Sequence, residues 1–187
     1  RFAPCLMLAA AASAVLACDQ QPDNLTPAAT SLATGPVNGF LTSQPSQART
    51  LVPQASLRPI LTVGDPLPGQ EANPDPQQRV WAPIPDGLGA FERDGRLVVF
   101  ANHEISSGGV DGKFPYSRVS RLEIDPATLG VTAGFYAITG TAPGFLFQRL
   151  CSATFAGGAE GFGDGWFFTG EESASGGAEG IQTAVKW

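Results

Sequence analysis

Two stretches of the sequence pass from a run of apolar residues directly into oxygen ligands. Residues 97–104 end in Asn-His-Glu, and residues 166–172 end in Gly-Glu-Glu. An Asp-Gly pair precedes each stretch, and a Ser- and Gly-rich segment follows it. Converging carboxylates repel one another unless a cation neutralises them. Because calcium prefers carboxylate and amide oxygens, the two stretches predict a calcium site. The ligands of the right type are Asn102, Glu104, Glu171 and Glu172.

Each glutamate taken alone is also explained as a solvated charge on a loop, and only the matching positions favour a metal site. His103 is the single histidine of the chain and lies between Asn102 and Glu104. We expect Asn102 and His103 to support the ligands rather than to bind the metal. The alternative for His103 is a side chain that points outward and only hydrogen-bonds a loop carbonyl.

Cys151 is a further candidate. The other two cysteines, Cys5 and Cys18, lie in the first 18 residues, so Cys151 has no evident disulfide partner. A free cysteine is most often a small buried hydrophobic residue. As a metal ligand, its thiolate would suit iron or zinc better than calcium.

Composition and pattern indicate the elements that must position these residues. The 187 residues include 23 Gly and 16 Pro, with 43% hydrophobic and 15% charged residues, which indicates β structure with many turns. The run at 96–101 predicts a fully buried strand, and the alternation at 118–124 predicts a strand with one solvated face. Further strands are predicted at 87–91, 131–138, 145–155, 166–169 and 181–187.

These strands form a group of four followed by three strands of a second copy. The repeat predicts an all-β fold, a β-propeller of which residues 60–187 form about the first two blades. A β-sandwich is the alternative. The sequence starts at Arg1 and stops at Trp187 within an apolar alternation, so we expect a piece of a longer protein, truncated at its C-terminus.

The N-terminal residues predict export. Residues 1–18 combine Arg1 with a short apolar run that closes on Val-Leu-Ala before Cys18, as in a bacterial lipoprotein signal. We therefore expect a lipid anchor at Cys18 as the only membrane contact, and a periplasmic or cell-surface location. A plain secretory signal is the alternative. Residues 19–59 are rich in Pro, Gln, Ser, Thr and Ala and predict a disordered linker.

The charge pattern excludes one class of partner. The formal net charge is −6 and no basic stripe occurs, which argues against nucleic acid. There is also no Gly-x-Ser-x-Gly motif and no phosphate-binding P-loop.

Four motifs together resemble the PhoX-type alkaline phosphatase family of exported bacterial phosphomonoesterases. They are Pro-Asp-Gly-Leu-Gly-Ala-Phe at 85–91, Asn-His-Glu at 102–104, Leu-Cys-Ser-Ala-Thr at 150–154 and Gly-Glu-Glu at 170–172. The resemblance implies a β-propeller with calcium and iron on its axis and a phosphorylated small molecule as substrate. It also implies that Cys151 ligates iron and that Glu172 or Glu171 is a metal carboxylate.

The chain departs from the family pattern in two places. Residues 155–164 lack the expected Thr-Pro-Trp-Gly sequence, and Gly170 stands where a second cysteine is common. We therefore expect a divergent relative. The alternative function is a non-catalytic propeller that calcium stabilises and that binds a partner at the cell surface.

Overall fold

The computed structural model of the protein describes residues 39–139, 146–172 and 182–186, and this part of the chain is all-β, as predicted. Two short 3₁₀-helices, Pro76–Gln78 and Gly158–Glu160, are the only helical segments among these residues. The strands are β1 (Pro85–Arg93), β2 (Arg96–His103), β3 (Arg118–Ile124), β4 (Val131–Thr139), β5 (Leu150–Ala156), β6 (Trp166–Glu171) and β7 (Gln182–Lys186).

The strands form two antiparallel sheets in chain order, β1-β2-β3-β4 and β5-β6-β7. The described strands close neither sheet on itself. The predicted Asp-Gly hairpin joins β1 to β2, with positive φ at both Asp94 (51°) and Gly95 (72°). These are the backbone conformations that a tight two-residue hairpin requires.

An apolar cluster lies between the two sheets. Phe91 of β1 stacks on Phe155 of β5, with ring centroids 4.3 Å apart, and Phe100 stacks on Phe167 at 5.1 Å. Gly89 allows this close approach, since a Cβ there would lie 2.8 Å from the Phe167 ring. The packing therefore sets β1 against the first strand of the second sheet.

The opposite face of the first sheet is covered by residues 60–82. Leu67 and Trp81 pack there against Leu122 and Val131. The predicted solvated face of β3 is therefore wrong, because Arg118 and Ser120 are buried on the covered face; Arg121 is buried on the opposite face, and Glu123 stays partly exposed. The predicted full burial of 96–101 holds only from Phe100 onward, since Leu97 and Val99 remain partly exposed.

The described part of the predicted linker pairs with the first sheet at Phe40. Phe40 and Val131 form a two-way backbone hydrogen-bond pair, each N–H lying 2.8 Å from the other carbonyl oxygen. The predicted signal segment 1–18, with Cys18, lies outside the described residues. None of the described helical segments has the length and apolar character needed to cross a membrane.

Candidate metal centre

The two sheets build their adjacent ends in the same way. Ile84 and Arg149 each precede the first strand of a sheet, and both adopt a left-handed backbone with φ of 51°. The carbonyl of Ile84 accepts the amide N–H of Glu104 at 2.9 Å, and the carbonyl of Arg149 accepts that of Glu172 at 3.0 Å. Glu104 and Glu172 are therefore equivalent positions of a structural repeat.

A β-bulge follows each of these left-handed residues. The register shifts between Pro85 and Leu88 in β1, and between Leu150 and Ala153 in β5. A bulge bends its strand and redirects a side chain, and bulges are frequent beside functional sites. Asp86 and Cys151 occupy the corresponding bulge positions of the two sheets.

Gly87 brings the two bulges into contact. A Cβ at this position would clash with the carbonyl oxygen of Cys151 and lie 2.5 Å from the amide nitrogen of Ala153. Only a residue without a side chain permits this approach of β1 to β5. The contact places Asp86 beside Cys151.

Three potential ligands meet at this contact. One donor atom each from Asp86, Glu104 and Cys151 lies within 4.8 Å of the others. Ligands on opposite sides of one cation are separated by about 4.6 Å when each bond is about 2.3 Å long. The spacing therefore fits a single ion. A thiolate beside two carboxylates suits iron or zinc, and the carboxylates alone suit calcium.

The acidic neighbours of Cys151 disfavour its thiolate. The pKa of Cys151 is raised, first by its hydrogen bond to Asp86, then by burial and by the negative charges of Asp86, Glu172 and Glu104. Without a cation, the acidic neighbours keep this thiol protonated. A bound cation would favour the thiolate, which is the form that ligates metals.

Arg149 connects the two equivalent glutamates. Its Nε donates to Glu104 Oε1 at 2.9 Å, and its Nη2 lies 2.8 Å from the same oxygen as an ion pair and donates to Glu172 Oε2. The hydrogen bond to Glu104 and the charge of Glu172 raise the pKa of Arg149. The structure thus places Glu172 at the rim of the centre, joined to Glu104 through a guanidinium.

Asn102 lies beneath the centre and is fully buried. Its Nδ2 donates to the carbonyl oxygens of Cys151 and Ser152 at 3.2 and 3.4 Å, and to Thr169 Oγ1 at 2.8 Å. Its amide is thus occupied by protein groups. Asn102 supports the backbone that carries the thiol.

His103 is buried and does not point outward. Its Nδ1 lies 3.1 Å from the carbonyl oxygen of Pro83, and its Nε2 lies 2.6 Å from Ser120 Oγ. Burial lowers the pKa of His103 to about 4. The ring is therefore a neutral core group with both nitrogens engaged, and it leaves no nitrogen free to bind a metal.

The remaining predicted ligand, Glu171, is the last residue of β6, and its Oε1 accepts the backbone N–H of Gln148. It is not one of the three converging groups. Asp86 and Arg149 were not predicted from the sequence. The signal for Asp86 was its place at the start of β1, which pairs with the strand that leads to Glu104. Arg149 gave no signal because its partners are distant in sequence.

We compared the chain with known protein families, curated proteins and solved structures. No family model, curated protein or solved structure matches this chain.

Proposed function

We propose that this chain belongs to an exported, metal-dependent phosphomonoesterase of the PhoX type. The observation that carries the proposal is the convergence of Asp86, Glu104 and Cys151 within 4.8 Å. Two carboxylates and one thiol from separate sheets form the mixed donor set that the family resemblance implies for iron beside calcium. In this proposal the substrate is a phosphorylated small molecule.

The repeat supports a β-propeller as the finer fold. In this reading, β1–β4 form one blade and β5–β7 belong to the next, with the donors at the adjacent strand ends. Equivalent positions of successive blades face the axis of a propeller. The matched left-handed residues, bulges and glutamates of the two sheets are such equivalent positions.

In this proposal, some residues bind the cation and others position those ligands. Asp86, Glu104 and Cys151 would hold the cation, and Gly87 and Asn102 fix the backbones that carry Asp86 and Cys151. When bound, a cation would neutralise these groups and polarise an oxygen of a phosphate ester. Calcium takes six to eight oxygen ligands, so three donors leave positions for substrate oxygens and for further residues.

A second candidate function is a calcium-stabilised binding module without catalysis. One observation favours it: the donors come from both sheets, so a cation there would fasten one sheet to the other. Binding of a cation to the folded state alone raises the melting temperature by mass action. The two functions differ in whether a phosphate ester is hydrolysed.

The test is hydrolysis of p-nitrophenyl phosphate by the full-length protein, with calcium and iron and then with chelator. We expect hydrolysis that chelator abolishes and that Asp86→Asn, Glu104→Gln and Cys151→Ser each reduce. Glu92→Gln, at an exposed position of β1, is the control. Hydrolysis that survives chelation would refute the proposal, and metal binding without hydrolysis would select the binding module.

We also propose export with a lipid at Cys18, on the basis of the signal sequence alone. Full-length protein expressed in bacteria should incorporate labelled fatty acid, and Cys18→Ser should not. Labelling of the Cys18→Ser variant would contradict the lipid anchor.

A further inference from the structure

Arg149 and Ile84 occupy equivalent positions of the two sheets, but only Arg149 carries a charge that reaches the candidate metal centre. The same left-handed position in the first sheet is held by Ile84, an exposed aliphatic residue. A left-handed backbone is unfavourable for a residue with a side chain, so the conformation itself does not account for arginine. Arg149 differs from Ile84 because its guanidinium hydrogen-bonds both Glu104 and Glu172.

The contacts of Arg149 are those of a counter-ion. Its Nε donates to one oxygen of Glu104, and its Nη2 forms an ion pair with the same oxygen and donates to Glu172. The Glu104 side chain is only 20% exposed, so its charge is poorly screened by water. The guanidinium therefore neutralises a carboxylate that also belongs to the three-donor group.

A divalent cation at this group would meet the same carboxylate. The single negative charge of Glu104 cannot neutralise both the Arg149 guanidinium and a divalent cation, and two cations beside one carboxylate repel each other. Arg149 is 45% exposed, so its side chain has solvent into which it can turn. Metal and guanidinium are thus alternatives at Glu104.

We propose that Arg149 is a built-in cation that competes with the metal for Glu104 and thereby sets the metal affinity of the centre. This inference rests on the proposed metal centre. In the metal-free protein, Arg149 holds the two glutamates together and prevents their repulsion. On metal binding, Glu104 exchanges its guanidinium partner for the ion. No covalent bond changes.

The coupling is reciprocal, because a group that stabilises the metal-free form must weaken metal binding by the same factor. Loss of the Arg149 charge should therefore lower the melting temperature in chelator and tighten calcium binding. Coupling of this kind amounts to about 5- to 150-fold, and we expect about tenfold.

The experiment titrates calcium into the full-length protein by calorimetry and repeats the melts with calcium and with chelator. Arg149→Gln removes the charge, and Arg149→Gly also removes it while tolerating the left-handed backbone. Arg93→Gln is the matched control, since the Arg93 side chain is 50% exposed at the β1–β2 hairpin. We expect both Arg149 variants to bind calcium more tightly and the control to match the wild type.

The outcomes separate this inference from the proposed function. Calcium binding and hydrolysis with no gain of affinity in either Arg149 variant would overturn the competition and leave the function standing. Tighter calcium binding in the variants without any hydrolysis would support the competition and refute the phosphatase. If neither the wild type nor the variants bind calcium, both are wrong.

Discussion

Asn102 and Thr169 hydrogen-bond each other in both directions across the boundary between the sheets. Asn102 Nδ2 donates to Thr169 Oγ1 at 2.8 Å, and the same hydroxyl donates to Asn102 Oδ1 at 3.1 Å. Both side chains are buried. Because Asn102 also holds the carbonyl of Cys151, this pair links the packing of two sheets to the position of the thiol.

Thr169→Val should destabilise the protein by about 1–3 kcal/mol, because it keeps the shape of the side chain but removes the hydroxyl that donates to the buried Asn102 Oδ1. Urea unfolding of the full-length protein measures the loss. The control is Thr154→Val, the same change at an exposed position of β5. Combination with Asn102→Ala should be non-additive, as for residues in contact. Equal unfolding midpoints for the two valine variants would contradict the assignment.

Gly87→Ala should destabilise the protein by about 1–3 kcal/mol, since the added methyl group meets the backbone of β5 and something must move. The same shift should separate Asp86 from Cys151 and so weaken the calcium binding that we propose for this group. Thermal melts and calcium titration measure the two effects. Gly108→Ala is the control because a Cβ at Gly108 meets no atom within 4 Å. Similar behaviour of the two variants would argue against the close strand contact.

His103 should make the fold sensitive to acid. Its pKa is about 4 in the folded state and about 6.5 in an unfolded chain, so between these values the unfolded state binds more protons. Stability is therefore complete above pH 6.5 and falls as the pH approaches 4, by about 3 kcal/mol. The cause is burial, to which the positive charge of Arg118 adds.

The measurement for His103 is urea unfolding at pH 7, 5.5 and 4. His103→Gln should be less stable at pH 7 but should lose less stability on acidification. Because the chain contains one histidine, titration of carboxylates is common to both proteins and cancels in the comparison. Parallel pH profiles would show that His103 is not buried in its neutral form.

Ser117→Ala should also destabilise the fold, by about 2–3 kcal/mol. The Ser117 hydroxyl accepts the backbone N–H groups of Ile105 and Leu150 at 3.1 and 3.0 Å and donates to the Ile105 carbonyl at 2.9 Å. Its loss removes the acceptor of the Leu150 N–H and the donor to the Ile105 carbonyl, whereas the Ile105 N–H keeps the His103 carbonyl oxygen at 2.8 Å. Ser106→Ala, at an exposed position, is the control, and chemical unfolding compares the two. A neutral Ser117→Ala would disprove this bridging role.

The strands could be predicted from the sequence because their signals are local. The Asp94-Gly95 turn and the apolar run after it fix the first hairpin, and the polar-apolar alternation at 118–124 marks β3. The burial of β3 could not be predicted. It depends on Leu67 and Trp81, which reach the sheet from a segment without a strand pattern of its own.

The candidate site was predictable only in part for the same reason. Glu104 could be predicted because it directly follows an apolar run, and Cys151 because it is the only cysteine of the sequence after residue 18. Asp86 joins them through two bulges and the contact at Gly87, and no short-range pattern encodes a meeting of two strands. His103 attracted attention because it is unique, yet its surroundings are those of a core residue.

The order of the three donors along the chain has a consequence for biosynthesis. Asp86 and Glu104 leave the ribosome first, and the strands that carry them can pair before Cys151 is made. The thiol reaches them only when β5 packs on β1, so the nascent first sheet lacks the soft ligand that favours iron. In the proposed metal centre, loading that depends on the thiol would therefore follow the docking of the second sheet rather than guide the folding of the first.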